Sequence, residues 1–132
     1  MTRILGIGTD LVELERLDLS LRRHDQRLID RICRPGEVNT ARQGKARLQH
    51  IGGLFAAKEA VLKALGTGLG QGLGFRQVEV VSTDRGAPRV RLHDRAAKKA
   101  QAMGIRVIHL SISHERHYAM AVAIAEGESG DA

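Results

Sequence analysis

Apolar residues are distributed differently in successive stretches of the chain, and each distribution predicts one type of element. Residues Ile4 to Val12 are mostly apolar and punctuated by glycine, which predicts a buried strand that ends near Asp10. From Glu13 to Cys33 there is no glycine or proline, and aliphatic residues recur at about 100° per residue. This spacing predicts a long N-terminal helix, which His24–Gln26 could interrupt. Its apolar side carries Leu14, Leu17, Leu21, Leu28 and Ile32.

The middle of the chain predicts a second helix, this one anchored in the core. Gly44 and Gly52–Gly53 are expected to break the polar stretch Glu37–Gly53 into a helical piece and a loop. Residues Leu54 to Leu65 combine alanine with larger aliphatic residues, which favours a helix that packs closely against its neighbours. Gly66 follows, and glycine is the preferred residue just beyond a helix C-terminus. We therefore expect a central core helix that ends at Gly66.

Glycine alternates with larger residues from Gly66 to Gly74. A glycine-rich loop that binds phosphate normally precedes a helix, where free N–H groups face the ligand. This segment follows a helix, and it lacks the Gly-Lys-Ser/Thr ending of a P-loop. A flexible connector or an irregular strand edge is therefore the preferred interpretation over direct contact with phosphate.

The C-terminal half predicts two hairpins separated by a short helix. Asp84–Ala87 supplies the first turn, Asp94 is a plausible N-cap, and Gly104 closes the short helix. The plan is one α+β domain over residues 1–125 with a small antiparallel sheet, and residues 126–132 are predicted to form a flexible tail. The predicted elements are strands at Gln77–Ser82 and Pro88–Leu92, a helix at Arg95–Met103, and strands at Ile105–Ser113 and Tyr118–Ala125.

Composition restricts the class of partner. The formal net charge of +6 favours an anionic partner, which leaves nucleic acid, an acidic protein, an acidic membrane and a phosphorylated small molecule open. Aromatic residues make up only 2% of the chain, which argues against a stacking platform for single-stranded nucleic acid. The single cysteine, Cys33, is interpreted as a packing residue in a reducing compartment. With no apolar run long enough for a signal or a membrane span, we expect a cytoplasmic protein.

Arginines cluster on the polar side of the N-terminal helix, roughly opposite its apolar side. Such a surface suits an acidic helix of a partner protein or nucleic-acid phosphates, and a merely solvated surface is the alternative. The cluster consists of Arg16, Arg23, Arg27, Arg31 and Arg34.

Four residues are candidates for chemistry, and each has a second interpretation. Asp10 and Glu59 offer oxygen ligands for a hard cation such as Mg²⁺, although Asp10 could instead cap the following helix. Lys63 lies one helical turn beyond Glu59 and could neutralise charge on a phosphate, but the two could also form an ordinary surface ion pair. His114, at a predicted strand end, could contact phosphate, act as a base or simply occupy a turn.

Three motifs in order along the chain resemble one family. They are Gly6–Asp10 with Arg16, then Phe55–Ala60 with Lys63 and Gly66–Gly68, then Ser111–Glu115. This set is similar, from about Ile4 to Ile124, to the holo-[acyl-carrier-protein] synthases. These form the small bacterial branch of the 4′-phosphopantetheinyl transferases.

The resemblance implies an activity, a fold and an assembly. The activity is transfer of 4′-phosphopantetheine from coenzyme A to a serine of an apo acyl carrier protein, with release of adenosine 3′,5′-bisphosphate. The family's fold is the 4′-phosphopantetheinyl transferase type of α+β domain. Its members serve fatty acid and other lipid biosynthesis in the cytoplasm, and they form homotrimers with active sites in the clefts between subunits.

The resemblance also implies roles for particular residues. Asp10 and Glu59 match the carboxylates that bind Mg²⁺, and Lys63 matches the lysine near the phosphates of coenzyme A. His114 matches a histidine near the nucleotide in part of the family. The basic surface that receives the acidic carrier helix is matched by Arg16, Arg23 and Arg27.

Two departures from the family pattern, together with the net charge and the arginine cluster, leave other functions open. Leu54 stands where many members have arginine, and the stretch Asn39–Gly53 matches poorly. An inactive relative that still binds carriers is therefore one alternative. A basic, non-catalytic module that binds nucleic acid is the other, and it is disfavoured by the scarcity of aromatic residues.

Overall fold

The structure is a computed structural model that describes residues 1–39, 42–82 and 86–128. Strands and helices are mixed along the chain and the strands pair antiparallel, so the predicted α+β class is confirmed. In chain order the elements are β1 (Arg3–Glu13), α1 (Leu14–Ile32), α2 (Gly44–Ala64), a 3₁₀ turn (Phe75–Gln77), β2 (Val78–Ser82), β3 (Pro88–Leu92), α3 (Asp94–Met103), β4 (Ile105–His114) and β5 (Tyr118–Gly127).

Helix α2 crosses one side of a three-stranded sheet with the order β1-β5-β4, while β2 and β3 form a separate ladder. Alternate residues of β5 point toward the core, because successive side chains of a strand face opposite sides of the sheet. Four of these inward residues are alanines with no exposed surface, so α2 lies close to the sheet. They are Ala119, Ala121, Ala123 and Ala125.

Two glycines of β1 bring the backbone of that strand into direct contact with α2. A Cβ atom on Gly6 would lie 2.0 Å from the carbonyl oxygen of Ala64, and one on Gly8 would lie 1.9 Å from that of Ala60. Neither position can hold a side chain unless the helix moves. The spacing between β1 and α2 is therefore set by backbone contact, and this spacing fixes the position of Asp10 relative to the helix.

The prediction that Gly52–Gly53 breaks the central helix is wrong, because α2 runs unbroken from Gly44 to Ala64. A Cβ on Gly52 would lie 2.5 Å from a methyl of Leu14, and one on Gly53 would lie 3.0 Å from a methyl of Ile112. Both glycines thus make room for neighbouring core side chains. Tertiary packing here outweighs a helix-propensity cost of about 1 kcal/mol for each glycine.

The predicted interruption of the N-terminal helix is present at Asp25, whose φ of 14° and ψ of −99° are not helical. The kink changes the helical phase, so that Ile29 is buried after it while Leu28 is only half-buried. The predicted core set of α1 is therefore correct at Leu14, Leu17, Leu21 and Ile32, while Ile29 is buried in place of Leu28.

Other predicted boundaries differ by a few residues. Strand β1 continues to Glu13, so Asp10 lies inside the strand and does not end it. The residue before α3 is His93, and the amide of Ala96 donates to the side chain of Gln77 at 2.9 Å, so Asp94 is not the cap. Strand β5 reaches Gly127, two residues beyond the predicted domain boundary. The predicted turn residue Asp84 and residues 129–132 of the tail lie outside the described residues.

Candidate active site

Lys63 of α2 and Asp10 of β1 form a salt bridge across the contact between helix and sheet. Lys63 Nζ lies 3.2 Å from Asp10 Oδ1 and donates a hydrogen bond to the carbonyl oxygen of Thr9 at 2.9 Å. The sequence allowed a surface pair between Lys63 and Glu59, but within the described residues the salt bridge of Lys63 is with Asp10. The ammonium group is therefore held at the strand that carries the candidate metal ligand.

Glu59 belongs to the same electrostatic cluster. Burial, and after it the neighbouring Asp10 carboxylate, raise the pKa of Glu59 above its ordinary value, while Lys63 acts in the opposite direction. Two carboxylates that disfavour each other's ionised form are stabilised by a cation placed between them. The structure thus brings together Asp10, Glu59 and Lys63, which the sequence could only propose separately.

The donor set of this cluster fits a hard divalent cation. Among the described residues there is no group of three or more His, Cys, Asp or Glu side chains arranged to hold a metal. Mg²⁺ commonly takes one or two protein carboxylates and completes its shell with water and substrate phosphates. Asp10 and Glu59 are therefore sufficient protein ligands for Mg²⁺ bound together with a phosphorylated substrate.

A cavity of about 620 Å³ opens beside the two carboxylates. Its wall combines the acidic groups with Arg16 of α1 and with the apolar side chains of Leu17 and Phe55. A cavity with a carboxylate end, a cationic side chain and an apolar wall can accept a phosphorylated ligand with a less polar arm.

The predicted arginines differ in how close they lie to this cavity. Arg16 lines it, whereas Arg27 lines a smaller neighbouring depression together with Arg31. Leu28 borders both, so the basic surface of α1 is continuous with the cavity. Arg23 is exposed on α1 and lines neither. The structure therefore brings Arg16 to the site and leaves Arg23 and Arg27 on the adjoining surface.

His114 is not part of the cluster within this chain. It is exposed at the end of β4, where it pairs with Ala119 of β5, and it does not line the cavity. Strand β5 separates it from β1.

Leu54 is one of the two departures from the family pattern, and in the structure it is a core residue. Its side chain is only 4% exposed and belongs to the hydrophobic core. A leucine in this position packs and makes no polar contact. Any phosphate contact that an arginine makes at this position is therefore missing from this chain.

Sequence reasoning missed a buried ion pair directly beside Glu59. Lys58 Nζ lies 2.9 Å from Glu37 Oε1, and both side chains are almost completely buried, at 0% and 1% exposure. A lysine within a run of alanine and phenylalanine is a weak signal of burial, but its partner is 21 positions away and is not indicated by local spacing.

The fold and the cavity define a small α+β enzyme domain with a carboxylate–ammonium site suited to phosphoryl transfer. A model of the 4′-phosphopantetheinyl transferase superfamily (ACPS) matches residues 6–123. The chain therefore belongs to this superfamily, and the resemblance seen in the sequence is confirmed.

Similar proteins cover nearly the whole chain. The holo-[acyl-carrier-protein] synthase of Serratia proteamaculans is 43% identical over 124 residues, which is 94% of this chain and 98% of that protein. That of Shewanella amazonensis is 47% identical over 121 residues, or 92% and 97%.

Solved structures agree with the sequence comparison. The holo-[acyl-carrier-protein] synthase of Neisseria meningitidis has a TM-score of 0.83 at 32% identity and covers 93% of this chain and 98% of its own. The Bacillus anthracis synthase in complex with CoA (3′,5′-ADP) has a TM-score of 0.79 at 34% identity and covers 95% and 98%.

Proposed function

We propose that this chain transfers 4′-phosphopantetheine from coenzyme A to a serine of an apo acyl carrier protein. The observation that carries the proposal is the cluster of Asp10, Glu59 and Lys63, whose two carboxylates line a cavity together with Arg16. The names of the similar proteins and the coenzyme A complexes of the Bacillus anthracis and Helicobacter pylori synthases support this substrate pair.

We assign the metal site of the reaction to Asp10 and Glu59, and we take the metal to be Mg²⁺. When bound there together with the pyrophosphate of coenzyme A, the ion would offset charge on the phosphoryl oxygens. The donor set supports this assignment, because both ligands are carboxylates and Asp10 raises the pKa of Glu59 even with the Lys63 ammonium nearby.

Lys63 and Glu59 are the side chains that we assign to the remaining steps of the reaction. The ammonium of Lys63 offsets charge on the departing nucleotide phosphate, which is released as adenosine 3′,5′-bisphosphate. The carrier serine attacks the phosphorus on the pantetheine side after it loses its proton. Glu59 is the candidate base for that proton, through a water at the metal site, because its carboxylate lines the cavity where the serine would bind.

The basic surface of α1 is the proposed docking site for the carrier protein. Arg16, Arg23 and Arg27 are exposed on this helix, and Arg16 also reaches the cavity. An acidic helix bound along this surface would place its serine at the cavity mouth. Complementary charge of this kind raises the rate of association more than it raises affinity.

We propose a homotrimer built through the side of the sheet that faces away from α2. This outer sheet face has large exposed apolar residues, which monomeric proteins rarely group together. Its members include Ile7 and Leu11, each 63% exposed, and Tyr118 and Met120, at 42% and 40%. In such an assembly His114 of one copy would approach the nucleotide bound by a neighbouring copy.

The proposed substrates place the reaction in the cytoplasm, in fatty acid or related lipid biosynthesis. Within the described residues, no helix is both long enough and apolar enough to cross a membrane.

A mass measurement tests the proposed activity. The wild-type protein, given apo carrier, coenzyme A and Mg²⁺, should add one phosphopantetheine to the carrier. Asp10→Ala and Glu59→Gln should abolish the gain while the protein stays folded, and the matched surface variant Asp18→Asn should leave it unchanged. A wild-type protein that adds nothing would instead be an inactive carrier-binding relative, and full activity in both site variants would overturn the metal assignment.

A further inference from the structure

We infer that Lys58 and Glu37 are positioning residues that hold α2 in the rotation at which Glu59 and Lys63 face Asp10. This inference rests on the proposed function, because it concerns the geometry of that site. Neither residue lines the cavity, so both would act through the helix and not on the substrate.

The ammonium group of Lys58 connects α2 to three neighbouring segments of the chain through hydrogen bonds. It donates to Glu37 Oε1 at 2.9 Å, to the carbonyl oxygen of Phe75 at 3.2 Å and to that of Val78. A lysine ammonium has three N–H donors, so this set of acceptors saturates it. The acceptors come from the loop after α1, from the 3₁₀ turn and from the start of β2.

The carboxylate of Glu37 is held just as completely. Besides the bond from Lys58, it accepts from the backbone amide of Arg34 at 2.5 Å and from that of Val80 at 2.9 Å. Among the described residues there is no buried side-chain polar atom without a hydrogen-bond partner. The pair is thus a rigid connection between α2, the loop after α1 and β2.

On its sheet side, the part of α2 next to the site contacts β1 through backbone and through the bonds of Lys63 to Thr9 and Asp10. There the helix backbone at Ala60 and Ala64 rests on Gly6 and Gly8, which have no side chains to interlock with it. The anchor at Lys58 lies about 100° around the helix from Glu59, on a different side. It therefore constrains the rotation of α2 from a second side, whereas the contacts at Gly6 and Gly8 involve no interlocking side chains.

Small rotations of α2 would displace the charged groups of the site. With side-chain tips about 5–6 Å from the helix axis, a rotation of about 10° moves the carboxylate of Glu59 and the ammonium of Lys63 by about 1 Å. Displacements of this size weaken metal binding and slow reactions at preorganised sites. Arg16 is on α1, so binding of the carrier should depend much less on this rotation.

The test is the double variant Lys58→Met/Glu37→Gln in the full-length protein, which removes both buried charges at similar volume. We expect a cooperative melting transition, a half-saturating Mg²⁺ concentration at least about tenfold higher, and a lower kcat. The KM for carrier should stay within about twofold of wild type. Lys98→Met, on the exposed side of α3, is the control and should change none of these.

A second readout does not depend on turnover. The rise in melting temperature that Mg²⁺ and coenzyme A together cause in the wild-type protein should be smaller in the double variant at equal concentrations. If the double variant does not fold, Glu37→Asp, which keeps the charge but shortens the reach of the carboxylate toward Lys58, should show the same pattern to a smaller degree.

Unchanged Mg²⁺ half-saturation and an unchanged melting shift in the folded variant would overturn the inference. A loss of activity that only tracks the folded fraction would overturn it too. A wild-type protein that modifies no carrier would instead overturn the proposed function. The melting shifts would still show whether Lys58 and Glu37 position the ligand-binding groups of α2.

Discussion

The ammonium of Lys63 lies 3.2 Å from a carboxylate oxygen of Asp10, although 53 positions separate the two residues in the chain. This salt bridge joins the helix to the strand at the point where the two candidate metal ligands approach each other. It gives the metal-free protein a partial counter-charge for two carboxylates. Metal and substrate would have to loosen it before Lys63 could reach a phosphate.

Replacing Glu59 should stabilise the metal-free protein at neutral pH. Burial, followed by Asp10, raises the pKa of Glu59 above 4.5, so folding favours its protonated form. Its favourable contribution is present below the unfolded-state pKa and is lost as the pH rises through the folded-state pKa. We expect Glu59→Gln to raise the free energy of unfolding at pH 7 by less than about 1 kcal/mol, because remaining solvent contact screens the effect.

Denaturant unfolding in the presence of a chelator at pH 7 and at pH 4 measures this difference. The gain should shrink at the lower pH, because protonation of Glu59 then removes part of the charge that Glu59→Gln removes at pH 7. Glu15→Gln, at an exposed position of α1, serves as the comparison. A Glu59→Gln variant that is less stable than wild type at pH 7 would contradict the electrostatic description.

A methyl group on Gly8 should damage both stability and activity. The new Cβ would lie 1.9 Å from the carbonyl oxygen of Ala60, and this atom is backbone, so α2 itself must move. We expect Gly8→Ala to lower the free energy of unfolding by about 1–3 kcal/mol or more. Gly74→Ala is the matched control, because a Cβ there meets nothing within 4 Å. Equal melting temperatures for the two variants would contradict the close contact.

Reversing the charge of Arg16 should weaken use of the carrier more than use of coenzyme A. Arg16 is exposed on α1 and lines the cavity, so Arg16→Glu would repel an acidic partner at the cavity mouth. Steady-state kinetics should show a KM for carrier raised by about tenfold or more, with weaker salt dependence than in the wild type. Lys98→Glu makes the same change in charge on α3, and an equal effect there would point to net charge instead of a docking surface.

A charge on the outer sheet face should dissociate the proposed trimer. Ile7 is 63% exposed, and burying a lysine at a subunit contact without a partner costs several kcal/mol. Sedimentation equilibrium should give the mass of three chains for wild type and of one chain for Ile7→Lys. Leu19→Lys alters a similarly exposed residue on α1 and should remain trimeric. A monomeric wild-type protein would refute the assembly.

Local pattern was enough to predict most elements of the fold, because periodicity and end signals are short-range properties. The end of α2 before Gly66 and the β4–β5 hairpin follow from such signals. Gly52–Gly53 was misread because the reason for those glycines is Leu14 and Ile112, which lie far away in sequence. The Asp10–Lys63 and Lys58–Glu37 pairs also join residues that are far apart in sequence. The family motif indicated that Asp10 and Lys63 belong to one site. No local signal indicated that Lys58 and Glu37 form a pair.

The four buried alanines of β5 limit which substitutions the protein tolerates. Its methyl groups determine the thickness of the layer between the sheet and α2. A larger residue at Ala121 or Ala123 would lift the helix as a body and carry Glu59 and Lys63 away from Asp10, which stays in its strand. We therefore expect the catalytic rate to depend on side-chain volume at positions that touch neither of the proposed substrates nor the proposed metal.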